Sequence, residues 1–104
     1  MANFAIVGAT GLVGTKMIER LSESKLKVDK IYLMASARSA GKVLKFRGQD
    51  VIVEELKEDS FDKEIDYAIF SAGGDTSRRF APIAESKGII VIDNSSAWRM
   101  EKDI

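Results

Sequence analysis

The sequence has 104 residues, with 16 Lys and Arg balanced by 16 Asp and Glu, and it contains no Cys and no His. A chain of this length makes one domain at most, and its balanced charge offers neither a basic stripe for nucleic acid nor a polybasic patch for a membrane surface. Without Cys there is no disulfide or thiolate nucleophile, and without His the commonest proton-transfer group near neutral pH is missing.

The apolar runs of the sequence are short. None approaches the ~20 residues that a membrane-spanning helix needs, and the N-terminus lacks the pattern of a signal peptide. We therefore expect a cytoplasmic protein that binds neither a membrane nor nucleic acid. No cluster of metal-ligating residues is evident, so no metal site is predicted.

The first third of the sequence predicts a strand, a turn and a helix, followed by a second strand. Residues 3–7 are a short apolar run of the kind found in buried strands. From residue 12 to about residue 24, apolar side chains recur at helical spacing, with charged side chains on the opposite face. A second apolar run at residues 30–35 predicts another strand, and residues 36–42 form a polar loop after it.

The middle of the chain predicts a hairpin. Two β-prone runs, residues 43–46 and 51–54, flank a four-residue connector that contains Gly48. The polar residues 59–64 predict a short helical turn, and residues 67–70 predict a third buried strand that ends in residues 71–74.

The last third predicts one more helix and strand. The helix is expected over residues 75–87, with Pro82 kinking or restarting it and Gly88 ending it. Residues 89–92 are a fourth apolar strand, and a loop follows over residues 93–100. Because fully apolar strands alternate with helices, the sequence predicts an α/β domain whose parallel sheet is covered on both faces.

A glycine loop, residues 8–14, joins the first strand to the first helix. Its Gly8, Gly11 and Gly14 lie three apart, whereas the first two glycines of the usual dinucleotide fingerprint lie two apart. Gly8 permits a sharp turn, Gly11 lets the backbone approach a diphosphate, and Gly14 allows close packing of helix on strand. The helix N-terminus and the Thr10 hydroxyl add donors. A tight turn without a ligand is the alternative, but the position between strand and helix favours dinucleotide binding.

The loop at residues 36–42 bears on which dinucleotide would bind. NAD-binding units usually carry Asp or Glu at the end of the second strand, and no acid lies between Lys30 and Lys42 here. Instead the loop supplies Ser36, Arg38 and Ser39, and an arginine with hydroxyl neighbours suits a 2′-phosphate. A solvated polar loop is the alternative. The location at a strand's carboxyl end favours NADP as the cofactor.

Four segments in the same order together resemble the aspartate-semialdehyde dehydrogenases. They are GATGLVG at residues 8–14, SARSAGK at 36–42, FSAG at 70–73 and VIDNSSAWR at 91–99. The resemblance covers essentially the whole chain and implies a Rossmann-type sheet with a β-hairpin insertion, incomplete relative to the full enzyme. It implies NADPH-dependent reductive dephosphorylation of L-aspartyl 4-phosphate to L-aspartate 4-semialdehyde, on the route to lysine, methionine and threonine. The parent enzyme is expected to be a homo-oligomer, a dimer or a tetramer, acting on a small-molecule substrate.

The resemblance also implies roles for individual residues. The expected cofactor-binding residues are Gly8, Thr10, Gly11, Leu12, Val13, Gly14, Ser36, Arg38, Ser39, Ser71, Ala72, Gly73, Thr76 and Asn94. Arg99 matches the arginine that binds the phosphoryl group of the substrate; without the resemblance, an ordinary surface ion pair would be the better explanation.

The family's nucleophilic cysteine and its acid/base histidine have no counterpart in this sequence, which contains neither residue type. In the family, both lie further along the chain. No catalytic residue is therefore predicted among residues 1–104, which we interpret as an NADP-binding domain fragment without the catalytic and dimerisation domain. The fragment alone is expected to be inactive.

Two other functions remain open at this point. A non-catalytic, NADP-sensing Rossmann protein could carry the same glycine loop, but it would not need the cluster at residues 94–99. An N-acetyl-glutamyl-phosphate reductase would share the loop and the chemistry, yet residues 36–42 and 94–99 resemble that family less. A Cys in a Pro-Asn-Cys context further along the gene would support the dehydrogenase.

Overall fold

The computed structural model describes residues 2–25, 27–71 and 74–93. These residues form two helices, a short 3-10 turn at Glu58–Phe61 and six strands. The helices are α1 (Leu12–Glu23) and α2 (Gly74–Ser86). The strands are β1 (Ala2–Val7), β2 (Val28–Ala35), β3 (Val43–Phe46), β4 (Gln49–Glu55), β5 (Tyr67–Phe70) and β6 (Ile90–Asp93).

All six strands join one sheet in the order β3-β4-β2-β1-β5-β6. The hairpin pair β3 and β4 is antiparallel, and every other neighbouring pair is parallel. The predicted Rossmann-type architecture, a parallel sheet with flanking helices and an added hairpin, is confirmed. Its central strand is β1, which pairs with β2 on one side and with β5 on the other.

The core has two layers, one on each face of the sheet, because successive side chains of a strand point to opposite faces. Phe4 and Ile6 of β1 belong to the cluster that contains Ile18 of α1. Ala5, which lies between them in β1, belongs to the opposite cluster, together with Phe80 of α2. The all-apolar sequence of β1 thus reflects burial on both faces.

The hairpin is tighter than the sequence predicts. Its connector is only Arg47 and Gly48, and β4 begins at Gln49 rather than at residue 51. Arg47 and Gly48 have φ angles of 51° and 81°, and consecutive positive φ values suit the two-residue turns that match the twist of a hairpin. The prediction of a four-residue connector was wrong because the sequence offers no sign that a non-glycine residue would adopt this conformation.

One prediction for the last third of the chain needs correction. Helix α2 is continuous through Pro82, so the helix does not restart there. At β6, the described residues cover the face towards α2 and leave the other face exposed. Val91 packs on the α2 side, whereas Ile90 and Ile92 point to the opposite face and are 55% and 42% exposed. Neither described helix is long and apolar enough to cross a bilayer.

Candidate functional site

A cleft lies at the carboxyl ends of the central strands. From β1 the chain proceeds to β2 on one side, and later to β5 on the other, and ligands of open α/β sheets bind at such a reversal of strand order. The cleft has a volume of about 510 Å³. Its lining residues are Gly8, Thr10, Gly11, Ala35, Ser36, Leu56, Ser71, Thr76, Arg79 and Phe80.

The three positions of the loop carry glycine for different physical reasons. Gly8 has a φ of 86°, which favours glycine, and its N–H donates to the Met34 carbonyl at 2.8 Å. A Cβ on Gly14 would overlap the carbonyl oxygen of Gly8 and lie 2.8 Å from its carbonyl carbon. A Cβ on Gly11 would meet only the Gly8 oxygen, at an ordinary 3.5 Å. The fold therefore requires Gly8 and Gly14, whereas a Cβ at Gly11 would make only an ordinary contact.

Gly11 is also the N-cap of α1, and it makes no side-chain cap hydrogen bond. The first turn of α1 contains no acidic residue. Leu12 and Val13 occupy this turn, the first 78% exposed and the second half-buried. The backbone N–H groups at a helix start and the positive end of the helix dipole favour an anion. The chemistry of this uncapped terminus is therefore suited to an anion such as a diphosphate group.

Ser71 connects the cleft to the central strand. Its hydroxyl donates to the Val7 carbonyl at 2.9 Å, and its backbone N–H donates to the same oxygen at 2.9 Å. A Cβ on Gly14 would lie 3.0 Å from the Ser71 hydroxyl oxygen. Ser71 therefore fixes the start of the glycine loop, and its hydroxyl proton is already used within the protein.

The turn after β2, residues 36–41 and named the Arg38 turn here, is joined to the glycine loop. The Thr10 hydroxyl donates to the Ser39 hydroxyl oxygen at 2.9 Å, which leaves the Ser39 proton available to an acceptor. Ser36 lines the cleft, whereas Arg38 is exposed in the turn beside it. The Arg38 guanidinium makes no hydrogen bond or ion pair with any described residue, so its five donors can serve a ligand.

The remaining predicted site residues divide into two groups. Thr76, in the first turn of α2, is half-buried and lines the cleft together with the glycine loop. Ala72, Gly73, Asn94 and Arg99 lie outside the described residues.

Three cleft residues were not predicted from the sequence. Leu56 directly follows β4, and Arg79 and Phe80 lie in the second turn of α2. Leu56 follows a strand's carboxyl end, which is a positional signal for ligand contact. Arg79 and Phe80 carry no local signal, because the packing of α2 on the sheet determines which of its residues face the cleft.

Comparison with known proteins identifies the domain. The family described as "Semialdehyde dehydrogenase, NAD binding domain" matches residues 3–104. Aspartate-semialdehyde dehydrogenase of Aquifex aeolicus is 51% identical over 100 residues, which are 96% of this chain and 29% of the relative. Aspartate-semialdehyde dehydrogenase 2 of Vibrio cholerae is 48% identical over 103 residues, which are 98% of this chain and 30% of that protein. The chain thus spans about 30% of the length of these relatives.

Solved structures agree with this assignment. Aspartate semialdehyde dehydrogenase II of Vibrio cholerae, complexed with ASA, superposes with a TM-score of 0.85 at 45% identity, over 89% of this chain and 30% of that chain. The aspartate semialdehyde dehydrogenase of Candida albicans, solved with NADP, gives a TM-score of 0.73 at 27% identity, over 88% of this chain and 28% of that chain. These names favour the dehydrogenase over the reductase and sensor alternatives. The chain belongs to the semialdehyde dehydrogenase family and forms its NAD-binding domain.

Proposed function

We propose that this domain binds NADP in preference to NAD, and that it does so as the cofactor-binding part of an aspartate-semialdehyde dehydrogenase. The observation that carries the NADP preference is the Arg38 guanidinium in the turn after β2, which has no partner among the described residues. An arginine with unused donors beside the ribose position suits the doubly charged 2′-phosphate that distinguishes NADP from NAD.

The neighbours of Arg38 support the same cofactor. No Asp or Glu lies in residues 31–41 to accept from a ribose hydroxyl or to repel a phosphate. The Ser39 hydroxyl retains a proton to donate, because Thr10 supplies the proton of their mutual hydrogen bond. The diphosphate would lie at the uncapped start of α1, against Gly11, Leu12 and Val13. When bound, the cofactor supplies the hydride for reduction.

The activity of the whole protein is a further part of the proposal. The relatives named aspartate-semialdehyde dehydrogenase are about three times longer than the matched region, since the chain covers 29% and 30% of the first two. We propose that the full-length protein reduces L-aspartyl 4-phosphate to the semialdehyde with release of phosphate. Residues outside 1–104 would provide the nucleophilic Cys and the acid/base His, because this sequence contains neither.

Four residues outside the described ranges complete this proposal. Ala72, Gly73 and Asn94 would extend the cofactor site beyond Ser71 and Thr76, and Arg99 would bind the phosphoryl group of the substrate. In the sequence, Arg99 follows the last residue of β6 by six positions, and ligands of this fold gather beyond the carboxyl ends of the strands. We further propose that the full-length enzyme is a cytoplasmic homo-oligomer.

Replacing Arg38 tests the cofactor preference. Loss of a charge-assisted contact in Arg38→Ala is expected to raise the Kd for NADPH about 30-fold, a change of ~2 kcal/mol, while the Kd for NADH stays within about twofold. Isothermal titration calorimetry on the chain measures both constants. Arg20→Ala is the matched control, because Arg20 is an exposed arginine of α1 that does not line the cleft. Equal losses for the two cofactors would contradict the assignment.

The division of labour within the parent enzyme has a separate test. The full-length protein is expected to oxidise L-aspartate 4-semialdehyde in the presence of NADP and phosphate, and residues 1–104 alone are expected to show no turnover. Absorbance of NADPH at its nicotinamide band follows both reactions. Turnover by the 104-residue chain would overturn the proposal that the chemistry depends on residues outside it.

A further inference from the structure

We infer that a slot between the amino ends of β2 and β4 binds an extended peptide of a partner protein, in which apolar and acidic side chains alternate. The slot, named the β2–β4 slot here, lies between residues 28–32 and residues 49–52. It is at the opposite end of the strands from the cleft and shares no lining residue with it. The inference is therefore independent of the proposed cofactor function.

The slot exists because β2 and β4 diverge towards their amino ends. Their ladder pairs residues 33–35 with residues 53–55 only, so the earlier residues of each strand have no partner in the other. The space between them has a volume of about 440 Å³. Four residues of strand span ~13 Å, which gives the slot length for a short extended segment.

The slot presents backbone groups that an added strand can bond. Along a strand, the N–H and C=O groups of successive residues point to alternate sides. The Met34 carbonyl accepts from Gly8 next to β1, and the Ala35 carbonyl accepts from Leu56 on the β4 side. The same alternation directs the N–H and C=O of Ile31 into the slot, where β4 makes no ladder with it. An extended peptide can bond these groups, as in strand addition to an open sheet edge.

Arg47 holds the slot open. Its guanidinium donates to the carbonyl oxygens of Ser22 and Ser24 at 3.2 and 3.0 Å, and its backbone N–H donates to the Ser22 hydroxyl oxygen at 2.9 Å. These bonds tie the hairpin turn to the end of α1, while the start of β4 stays apart from β2. The slot is thus formed before a ligand arrives, which lowers the ordering cost of binding.

The two faces of the slot differ in chemistry. On the α1 face, Phe46 belongs to the core cluster that contains Ile18, and Ile31 and Val51 pack against it. Lys30 precedes Ile31 in β2 and therefore points to the opposite face, where it is exposed and has no partner among the described residues. An inserted strand would place alternate side chains on the two faces. Apolar side chains suit the first face, and acidic side chains suit the second.

The charges around the slot also favour an acidic peptide. Lys27 directly precedes β2 and is exposed, and Lys30 and Arg47 line the slot. Among the lining residues only Asp29 is acidic, so the cations outnumber it. Complementary charge of this kind contributes to the choice of partner and to the rate of association.

Four synthetic peptides, each about eight residues long, test the inference by NMR titration of the 104-residue chain. A peptide of alternating Val and Glu is expected to bind and to shift the amide signals of β2 and of the hairpin. Peptides of alternating Val and Lys, and of Glu alone, are expected to bind about tenfold more weakly, since each lacks one of the two complementary features. The Val–Glu peptide with every backbone nitrogen methylated should not bind, because it has no ladder donors.

Two of these peptides can contradict the inference. Equal binding of the all-Glu peptide would reduce the contact to attraction by a basic surface. Equal binding of the methylated peptide would show that no strand is inserted.

A charge reversal at the slot has a matched control. Lys30→Glu is expected to raise the Kd of the Val–Glu peptide about tenfold, because an attraction becomes a repulsion. Lys16→Glu makes the same change at an exposed position of α1 and should leave that Kd within about twofold. The amide spectrum of each variant reports whether it is folded. Equal losses in both variants would assign the effect to overall charge and contradict the location.

The full-length protein distinguishes a partner from other occupants of the slot. It is expected to bind the Val–Glu peptide within about threefold of the 104-residue chain. Loss of binding there would show that other residues of the protein or a second copy cover the slot, and it would overturn the inference. Saturating NADPH should leave the peptide Kd unchanged, so failure of cofactor binding and failure of peptide binding are separate results.

Discussion

The two ends of the parallel strands use their polar groups in opposite ways. At the amino end, the Asn3 backbone N–H donates to the Asp66 carboxylate at 2.8 Å, and the Asn3 side-chain amide donates to the Glu64 carbonyl at 2.7 Å. These bonds connect β1 to the segment before β5 across more than sixty residues of sequence. The polar groups at this end stabilise the fold.

Arg47 belongs to the same end of the sheet and has the same role. Its guanidinium donates to the carbonyl oxygens of Leu21, Ser22 and Ser24 at 3.0–3.2 Å, where α1 ends. Its backbone N–H donates to the Ser22 hydroxyl oxygen at 2.9 Å. A helix end leaves carbonyls without intrahelical partners and carries partial negative charge, so a cation there is doubly favourable.

At the carboxyl end, several donors have no partner or only a weak one among the described residues. The start of α1 has no side-chain cap, and the Arg38 guanidinium has no partner among the described residues. Among the described residues, Arg79 makes a long, exposed ion pair with Glu58 and lies over the Phe80 ring. Arg38 and Arg47 both occupy polar, glycine-containing turns, so the sequence alone presents them as equivalent. The described contacts separate them, because the Arg47 guanidinium holds the end of α1 whereas the Arg38 guanidinium has no partner among the described residues.

The largest expected effect separates stability of the fold from cofactor binding within the glycine loop itself. Gly14→Ala places a Cβ against the Gly8 carbonyl, and the overlap should lower the free energy of unfolding by about 3 kcal/mol. Gly11→Ala meets only an ordinary contact, so its stability should change by less than ~1 kcal/mol. Its methyl group should still weaken NADPH binding about tenfold by displacing the diphosphate. Urea unfolding and calorimetry measure the two effects, and similar stability losses in both variants would contradict the distinction.

A smaller effect is expected at the amino end. Arg47→Met removes the guanidinium from the end of α1 and should lower the free energy of unfolding by about 1–2 kcal/mol through lost charge-assisted hydrogen bonds. The Kd for NADPH should not change. Lys45→Met is the control, because Lys45 lies in the same hairpin and its 2.9 Å pair with Asp50 is well exposed, at 73% and 63%. Weaker cofactor binding in Arg47→Met, at an unchanged free energy of unfolding, would contradict the conclusion that Arg47 stabilises the fold and does not contact the ligand.

The smallest effect should come from the bond that joins the two loops of the cleft. Thr10→Val removes the 2.9 Å hydrogen bond to Ser39 and keeps the shape of the side chain. Freeing the Arg38 turn should raise the Kd for NADPH about threefold, in line with the ~0.5–1.5 kcal/mol of a typical hydrogen bond. In an Arg38→Ala background the same substitution should have less effect. Equal effects in both backgrounds would show that Thr10 does not act by positioning the turn.

Much of the fold was predictable because its signals are local. The strands β1 and β5 are apolar runs because they are buried on both faces. The apolar residues of α1 recur at helical spacing because that helix is buried along one stripe. The glycine loop and the Arg38 turn were predictable as candidate sites because both connect a strand's carboxyl end to the next element. The shift of the hairpin turn to Arg47 and Gly48 was not, because its support comes from α1, more than twenty residues away.

By itself, the sequence determined the order of strands and helices, the glycine loop between β1 and α1, and the acid-free turn that carries Arg38. These features depend on residue type and short-range spacing, both of which can be read directly from the sequence. The tertiary structure alone decided that Gly14 must accommodate the Gly8 carbonyl, that Arg47 holds the end of α1, and that Arg79 faces the cleft. Each of these depends on how a helix packs against the sheet, and packing brings together residues whose separation along the chain carries no signal of contact.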